Sequence, residues 1–286
     1  MSVRPRLVAA AALTAGLVAT GLTAAPAATA ATTWAPAATA KIHPGVMTYT
    51  SGAQCTANFV FTDTAGTVYV GQAAHCSSTG AATDTDGCKS QSLPLGTKVD
   101  FVEGGSLISD GTKVGSGTMV YNSWLNMQSR HESDANVCAY NDLALIKVDA
   151  AYVSQVNPSV PFWGGPTGVN STGTAAGDTV YSYGNSSLRA GVSQLSPKQG
   201  VSLGDDGAGW SHSVYTLTPG VPGDSGSAFL DGQGRALGVL STLAIAPLAG
   251  SNGVGDVGKE LAYAKAYSGI SGLTLVNGTE PFSPIL

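Results

Sequence analysis

From about residue 42 onward, short runs of β-branched and aromatic residues are separated by clusters of Gly, Asn, Asp and Ser. This spacing predicts strands cut by turns, with little helix. Residues 58–62 (NFVFT) and 67–70 (TVYV) bracket Asp63-Thr64-Ala65-Gly66, a turn sequence that predicts a hairpin. Further strands are expected at 143–148, 179–183, 213–217, 227–230 and 236–240. The last two are joined by the turn Asp231-Gly232-Gln233-Gly234. A single helix is expected at 257–267, capped by Asp256, with Leu261, Ala264, Ala266 and Tyr267 on its apolar side. Glycine-rich stretches such as 164–177 read as loops. The pattern predicts an all-β fold of one or two barrels.

The start of the 286-residue chain is of another kind. Arg4 and Arg6 precede an apolar stretch from Leu7 to about Leu22, and Ala28-Thr29-Ala30 supplies the small residues of a processing site. Residues 1–30 are therefore expected to be a secretory signal peptide. A second A-x-A at Ala38-Thr39-Ala40 leaves the cut site open, between Ala30 and Ala40. The Ala/Thr/Pro segment 31–41 is expected to be flexible, with the folded part spanning 42–286. No later run offers the 18 or more apolar residues of a membrane span, so no membrane partner is expected once the signal is removed.

Charge narrows the partners further. The chain holds 13 Lys+Arg against 18 Asp+Glu, and two of the arginines lie in the signal. With no basic run to follow a phosphate backbone, nucleic acid is not expected to bind. Four cysteines in an exported chain read as two disulfides, for which three pairings exist. Cys55 and Cys76 flank two apparent strands, which favours joining them and leaves Cys88 with Cys138. There is no C-x-x-C spacing for zinc, and no metal is expected.

A serine hydroxyl is a poor nucleophile until a base within hydrogen-bond reach takes its proton, and that base needs an acid to orient it. The four histidines, His43, His75, His131 and His212, all precede Ser225. That excludes the α/β-hydrolase order, in which the histidine follows the serine, and Gly223-Asp224-Ser225-Gly226-Ser227 is not the G-x-S-x-G elbow. An Asp-His-Ser order would need Asp63 ahead of His75, and nothing local supports it. The order His, then Asp, then Ser remains. His43 beside Pro44 reads as exposed loop, and His131 with Glu132 and Asp134 as loop polarity. His212 beside Trp210 reads as structural or cleft-lining. Asp84-Thr85-Asp86-Gly87 lacks the later ligands of a calcium loop and reads as a turn.

Three segments resemble the signatures of chymotrypsin-like serine proteases. Ala73-Ala74-His75-Cys76 resembles A-A-H-C, Asn141-Asp142-Leu143-Ala144-Leu145 resembles N-D-[IL]-A-L, and Pro222-Gly223-Asp224-Ser225-Gly226-Ser227 resembles the G-D-S-G-G box. The likeness runs from about Ile42 to Tyr267, and the general look of the chain is similar to exported bacterial members. It implies two six-stranded antiparallel β-barrels, 42–155 and 156–286, with a C-terminal helix. It further implies catalysis by His75, Asp142 and Ser225 and an oxyanion hole of the Gly223 and Ser225 N–H groups. It gives Cys55 the role of tying down the loop of Cys76.

The resemblance also implies a substrate pocket. Pro219 falls at the pocket base, where trypsin-like members carry an acid, so an Arg or Lys side chain lacks its counter-charge. Ser241-Thr242-Leu243 aligns with the substrate-binding strand, and Leu243 in place of glycine narrows the pocket toward small or medium apolar side chains. Ser227 replaces the second glycine of the box, and no cysteine beyond Cys138 is left for a pocket disulfide. Asp224 matches the acid that pairs with a new amino terminus in zymogen-activated relatives, but Ile42 lies too close to Cys55 for that route. The segment ahead of Cys55 is also too short for a folded pro-domain. The implied protein is an extracellular monomer that hydrolyses proteins or peptides without a cofactor. A non-catalytic binding module on the same fold and an esterase with the same triad are the competing readings.

Overall fold

The computed structural model describes residues 32–81, 84–243 and 248–284, besides Met1. The expected signal peptide, residues 1–30, lies otherwise outside the described residues. Seven strands come first: β1 (Met47–Thr50), β2 (Ala53–Thr56), β3 (Val60–Thr62), β4 (Val68–Ala73), β5 (Lys98–Glu103), β6 (Thr112–Asn122) and β7 (Leu143–Val148). The later half supplies β8 (Thr179–Tyr183), β9 (Pro197–Asp206), β10 (Ser211–Thr216), β11 (Ala228–Asp231), β12 (Ala236–Leu243), β13 (Asn252–Asp256) and the short β14 (Thr274–Leu275). Strands β8 to β13 close into a six-stranded barrel, in the order β10-β13-β12-β11-β8-β9. The first seven form an antiparallel sheet ordered β14-β3-β4-β7-β6-β5-β1-β2. It counts eight strands because β14 returns from the far end of the chain to pair Thr274 with Thr62 and Leu275 with Phe61.

The alternation seen in the sequence becomes three layers of apolar side chains. Val60, Val70, Phe101, Met119 and Ile146 belong to one buried cluster on the first sheet. Val180, Val214, Phe229, Leu237, Leu240 and Val254 fill the closed barrel. Between them Phe59, Phe61, Leu143, Leu145, Trp163, Tyr181, Leu230 and Val239 form one shared cluster. Burying a side chain of this size stabilises by roughly 1.5–3 kcal/mol, so sheet and barrel are held together over a wide apolar seam. The candidate active site lies along that seam.

The helix is found where the spacing predicts it, at Val257–Tyr267, and Asp256 caps it by accepting the Lys259 N–H at 2.7 Å. Its buried side differs from the expected one. Val257, Glu260, Leu261 and Ala264, spaced i, i+3, i+4, i+7, face inward, while Ala266 and Tyr267 are exposed. Calling this helix α3, two shorter ones precede it: α1 (Ser123–Ser129) and α2 (Ala135–Tyr140). They were not expected from the sequence. Each is started by a polar side chain, Asn122 accepting Leu125 N–H and Asp134 accepting Asn136 N–H.

The segment expected to be flexible is seated from Trp34 onward. Trp34 packs against the first sheet's core, Ala35 N–H donates to Val156 O at 2.9 Å, and Asn157 Nδ2 donates to Ala35 O at 2.7 Å. Among the described residues no helix is long and apolar enough to cross a membrane.

Candidate active site

Strand β4 ends at Ala73 directly opposite Leu143, the first residue of β7. That register sets the turn after β4 beside the residue before β7, so His75 and Asp142 meet although 67 positions apart. The meeting is fixed at several points. Ala74 N–H donates to Asp142 O at 2.9 Å, and His75 N–H donates to Asp142 Oδ1 at 2.9 Å. The next residue, Cys76, is bonded to Cys55 of β2; Cys88 is bonded to Cys138. Both pairs are those that the strand positions favour.

His75 Nδ1 lies 2.7 Å from Asp142 Oδ2, which requires the Nδ1–H tautomer and leaves Nε2 with a free lone pair. Burial works to lower the pKa of this imidazole, but the charge and hydrogen bond of Asp142 outweigh it, so the net shift is upward. Asp142 is buried and takes a second bond to the same oxygen from Ser241 Oγ at 2.5 Å. A carboxylate with this many donors is oriented as well as solvated, since hydrogen bonds to a charged group contribute about 1.5–3 kcal/mol each. Behind it, the Asp142 N–H donates at 2.9 Å to Oε1 of Glu260, a fully buried acid on α3. Burial, with the charges of Asp142 and Asp256 adding, pushes Glu260 well above the usual carboxylate range.

Ser225 sits on the segment that turns into β11 and lines the same cleft as His75, Asp142 and Ser241, a space of about 600 Å³. Two main-chain bonds hold this turn: Thr56 N–H to Ser225 O at 2.8 Å, across the seam, and Gly226 N–H to Leu240 O at 2.7 Å, within the barrel. Gly226 has φ +88°, and a Cβ there would stand 2.5 Å from Thr56 O, so only glycine permits the approach. Ser227 is buried, its hydroxyl donating to Asp224 O at 2.5 Å. Among the described residues no hydrogen bond joins the Ser225 hydroxyl to His75; such bonds commonly tighten only when substrate closes the site. Among the same residues the N–H groups of Gly223 and Ser225 meet no acceptor, and both residues line the cleft.

Asp224, next to Ser225, is fully buried and pairs with two cations of the barrel. Arg189 Nη2 lies 2.5 Å and Lys198 Nζ 3.0 Å from its Oδ2. Burial lowers the pKa of Lys198 against the pull of Asp224, and Arg189 adds to the lowering. This pairing, made by residues remote in sequence, was not foreseen. Ile42 is itself fully buried and hydrogen-bonded through its N–H to Gln155 O, away from Asp224.

The residues expected to bind substrate separate. Leu243, half-exposed, lines the cleft as expected. Ser241 lines it too, but its hydroxyl is spent on Asp142. Pro219 is not among the described lining residues; its carbonyl accepts from Arg189 at 2.9 Å. Asn252 also lines the cleft, its side chain accepting Gly220 N–H at 2.8 Å and donating to Thr242 O at 3.1 Å. His212 stands apart from the cleft, fully buried between Asp205 at 2.6 Å and Asp256 at 3.0 Å, a structural role. His43 is half-buried rather than exposed, with Nδ1 2.7 Å from Pro44 O. Asp134 serves as the cap of α2, in keeping with loop polarity around His131.

No family model and no curated protein matches the chain in sequence. Solved structures do match. The chain is similar to Protease A of Thermobifida fusca, with a TM-score of 0.50, 18% identity, and coverage of 83% of this chain and 99% of that one. A Nocardiopsis protease aligns with a TM-score of 0.48, 18% identity and coverage of 82% and 98%. Cellulomonas bogoriensis chymotrypsin aligns at 0.45, with 17% identity and coverage of 82% and 98%. The likeness at 0.50 gives the chain the fold of the chymotrypsin-like serine proteases, with the second barrel closed and the first seen as an eight-stranded sheet rather than the expected six. At such identity the likeness carries the fold alone.

Proposed function

We propose that this protein is a secreted serine endopeptidase in which Ser225 attacks the peptide carbonyl, His75 moves the proton and Asp142 holds His75. The observation that carries the reading is the orientation of His75. Its Nδ1–H is committed to Asp142 at 2.7 Å, which leaves Nε2 as the free base in a cleft that also contains Ser225. In the first step Nε2 takes the Ser225 proton as Oγ bonds to the carbonyl carbon, and the imidazolium so formed is stabilised by Asp142. Ser241 and the His75 N–H keep that carboxylate from rotating. The carbonyl oxygen, now negative, is received by the N–H groups of Gly223 and Ser225. His75 then returns the proton to the leaving amine, and water repeats the sequence on the acyl-enzyme.

Two structural features support export and the earlier of the two cut sites. Both disulfides suit an oxidising compartment. Cleavage after Ala30 keeps the bonds of Ala35 and the packing of Trp34, which a cut after Ala40 removes. Incubation of the exported protein with an unfolded protein substrate tests the activity. Cleavage by the wild type and none by Ser225→Ala is expected. Ester turnover without any peptide cleavage would instead favour an esterase, and no turnover at all a binding module.

A further inference from the structure

The Pro222–Gly223 peptide carries one of the two donors assigned to the oxyanion hole, and nothing in its own sequence keeps that donor aimed. In a trans peptide the C=O and N–H point in opposite directions. Rotating the plane by half a turn changes ψ of Pro222 and φ of Gly223 and little else. Gly223 has φ +95°, and glycine accepts either sign, so both orientations are open to the backbone. The selection has to come from outside.

It comes from three side chains. Ser186, buried at the start of a helical turn, places Oγ 2.5 Å from Pro222 O. That oxygen also accepts the Leu188 N–H at 3.1 Å, so its single hydrogen is left for Pro222. The following peptide is gripped from the first sheet: Gln54 Nε2 and Thr56 Oγ1 donate to Gly223 O at 3.0 and 2.8 Å. The grip is cross-braced, because Gln54 Oε1 accepts Ser187 N–H at 3.0 Å and Thr56 Oγ1 accepts Asn185 N–H at 3.2 Å. Ser186 N–H in turn donates to Asp224 Oδ1 at 3.0 Å, the carboxyl that Arg189 holds from the same loop.

We infer that Ser186 is a positioning residue: its hydroxyl, on the Pro222 carbonyl, holds the Gly223 N–H toward the cleft, and Gln54 and Thr56 lock the adjoining peptide. The inference rests on the serine-protease reading, and it goes further by making the hole an element assembled from both halves of the fold. A hydroxyl that only contributed stability would, when removed, lower the fraction of folded enzyme and leave each folded molecule equally active.

The test is Ser186→Ala, with Ser186→Thr as the variant that keeps the hydroxyl. Activity is normalised to sites titrated with a fluorophosphonate probe, and the structure of each protein is determined. The Ala variant is expected to show the Pro222–Gly223 peptide turned over in its structure. Its kcat should fall by at least roughly tenfold, up to the roughly 10²–10³-fold that follows loss of a hole donor, with KM nearly unchanged. Inhibition by a peptide aldehyde, whose adduct carries the oxyanion, should weaken to a similar degree, and the Thr variant should recover most of the loss. An unturned peptide with wild-type kcat per titrated site overturns the inference. A wild type that neither hydrolyses peptides nor reacts with the probe, alongside a turned peptide in the Ala variant, removes the protease reading and leaves the clamp standing.

Discussion

The Asp142 backbone N–H ends on Oε1 of Glu260 at 2.9 Å, so the acid that orients His75 is itself tied to the C-terminal helix by another acid. Glu260 is fully buried, and its second oxygen has no hydrogen-bond partner. Tyr121 on β6, Asp142 before β7 and the helix cap Asp256 lie close enough to act on it, and none of these offers a positive charge. An ionised Glu260 would put a second anion beside Asp142; the neutral acid serves as an acceptor without doing so.

Stability should register that proton. With its folded pKa well above the ordinary 4.5, Glu260 keeps a proton that the unfolded chain releases. The stability tied to it is complete below the unfolded value and is lost as pH rises toward the folded one. Glu260→Gln keeps the acceptor and removes the titration. Its melting temperature should gain on wild type steadily as pH rises from the unfolded value of 4.5 toward the raised folded one. Parallel melting curves across that range would contradict a buried neutral acid.

Activity should follow a different group. Hydrolysis requires neutral His75; burial works to lower its pKa, but the charge and hydrogen bond of Asp142 together outweigh burial and raise it above 6.5. Activity should therefore rise with pH through a midpoint above that value and be lost on the acid side. Asp142→Asn removes the charge and disturbs the tautomer, and kcat should fall on the order of 10⁴-fold. Steady-state rates against pH for both proteins check this.

The ion trio separates two substitutions that look alike on paper. Asp224→Asn leaves Arg189 and Lys198 buried together with no counter-charge, and unfolding free energy should fall by about 3–5 kcal/mol. Arg189→Met leaves Lys198 paired with Asp224 and should cost clearly less. Denaturant melts of the two variants decide the order. Equal losses would mean that Lys198 does not sustain the pair alone.

Specificity should follow Asn252. Its amide spans Gly220 and Thr242, and it lines the cleft together with Leu243, two side chains that on the proposed reading would restrict the pocket to small residues. Cleavage-site profiling should return small uncharged residues before the cut bond. Asn252→Gly should extend the range to larger ones, and a wild-type preference for arginine or lysine would contradict the assignment.

The legible parts of this molecule were those with local causes. Strands β7 and β8 and helix α3 fall where spacing puts them, because alternation and a capping aspartate act within a few residues. The histidine, aspartate and serine segments were readable because each sits in its own short motif. The long β9, PKQGVSLGDD, was hidden by glycines and outward polar residues, and β14 by having only two residues. The roles of Ser241, Arg189, Lys198 and Glu260 arise from contacts across 35 to 118 positions for three of them, and about 26 for Lys198, with no periodic signal. Glu260 in particular looks in sequence like a solvated helix residue. Only the register of α3 against β7 turns it inward.

The most direct test is intact-mass analysis of the exported protein after exposure to a fluorophosphonate probe, beside Ser225→Ala. One equivalent of probe mapped to Ser225, absent from the variant and lost when His75 is replaced by alanine, is the expected result. A folded protein with both disulfides formed and no labelling at Ser225 would contradict an activated serine at the centre of this site.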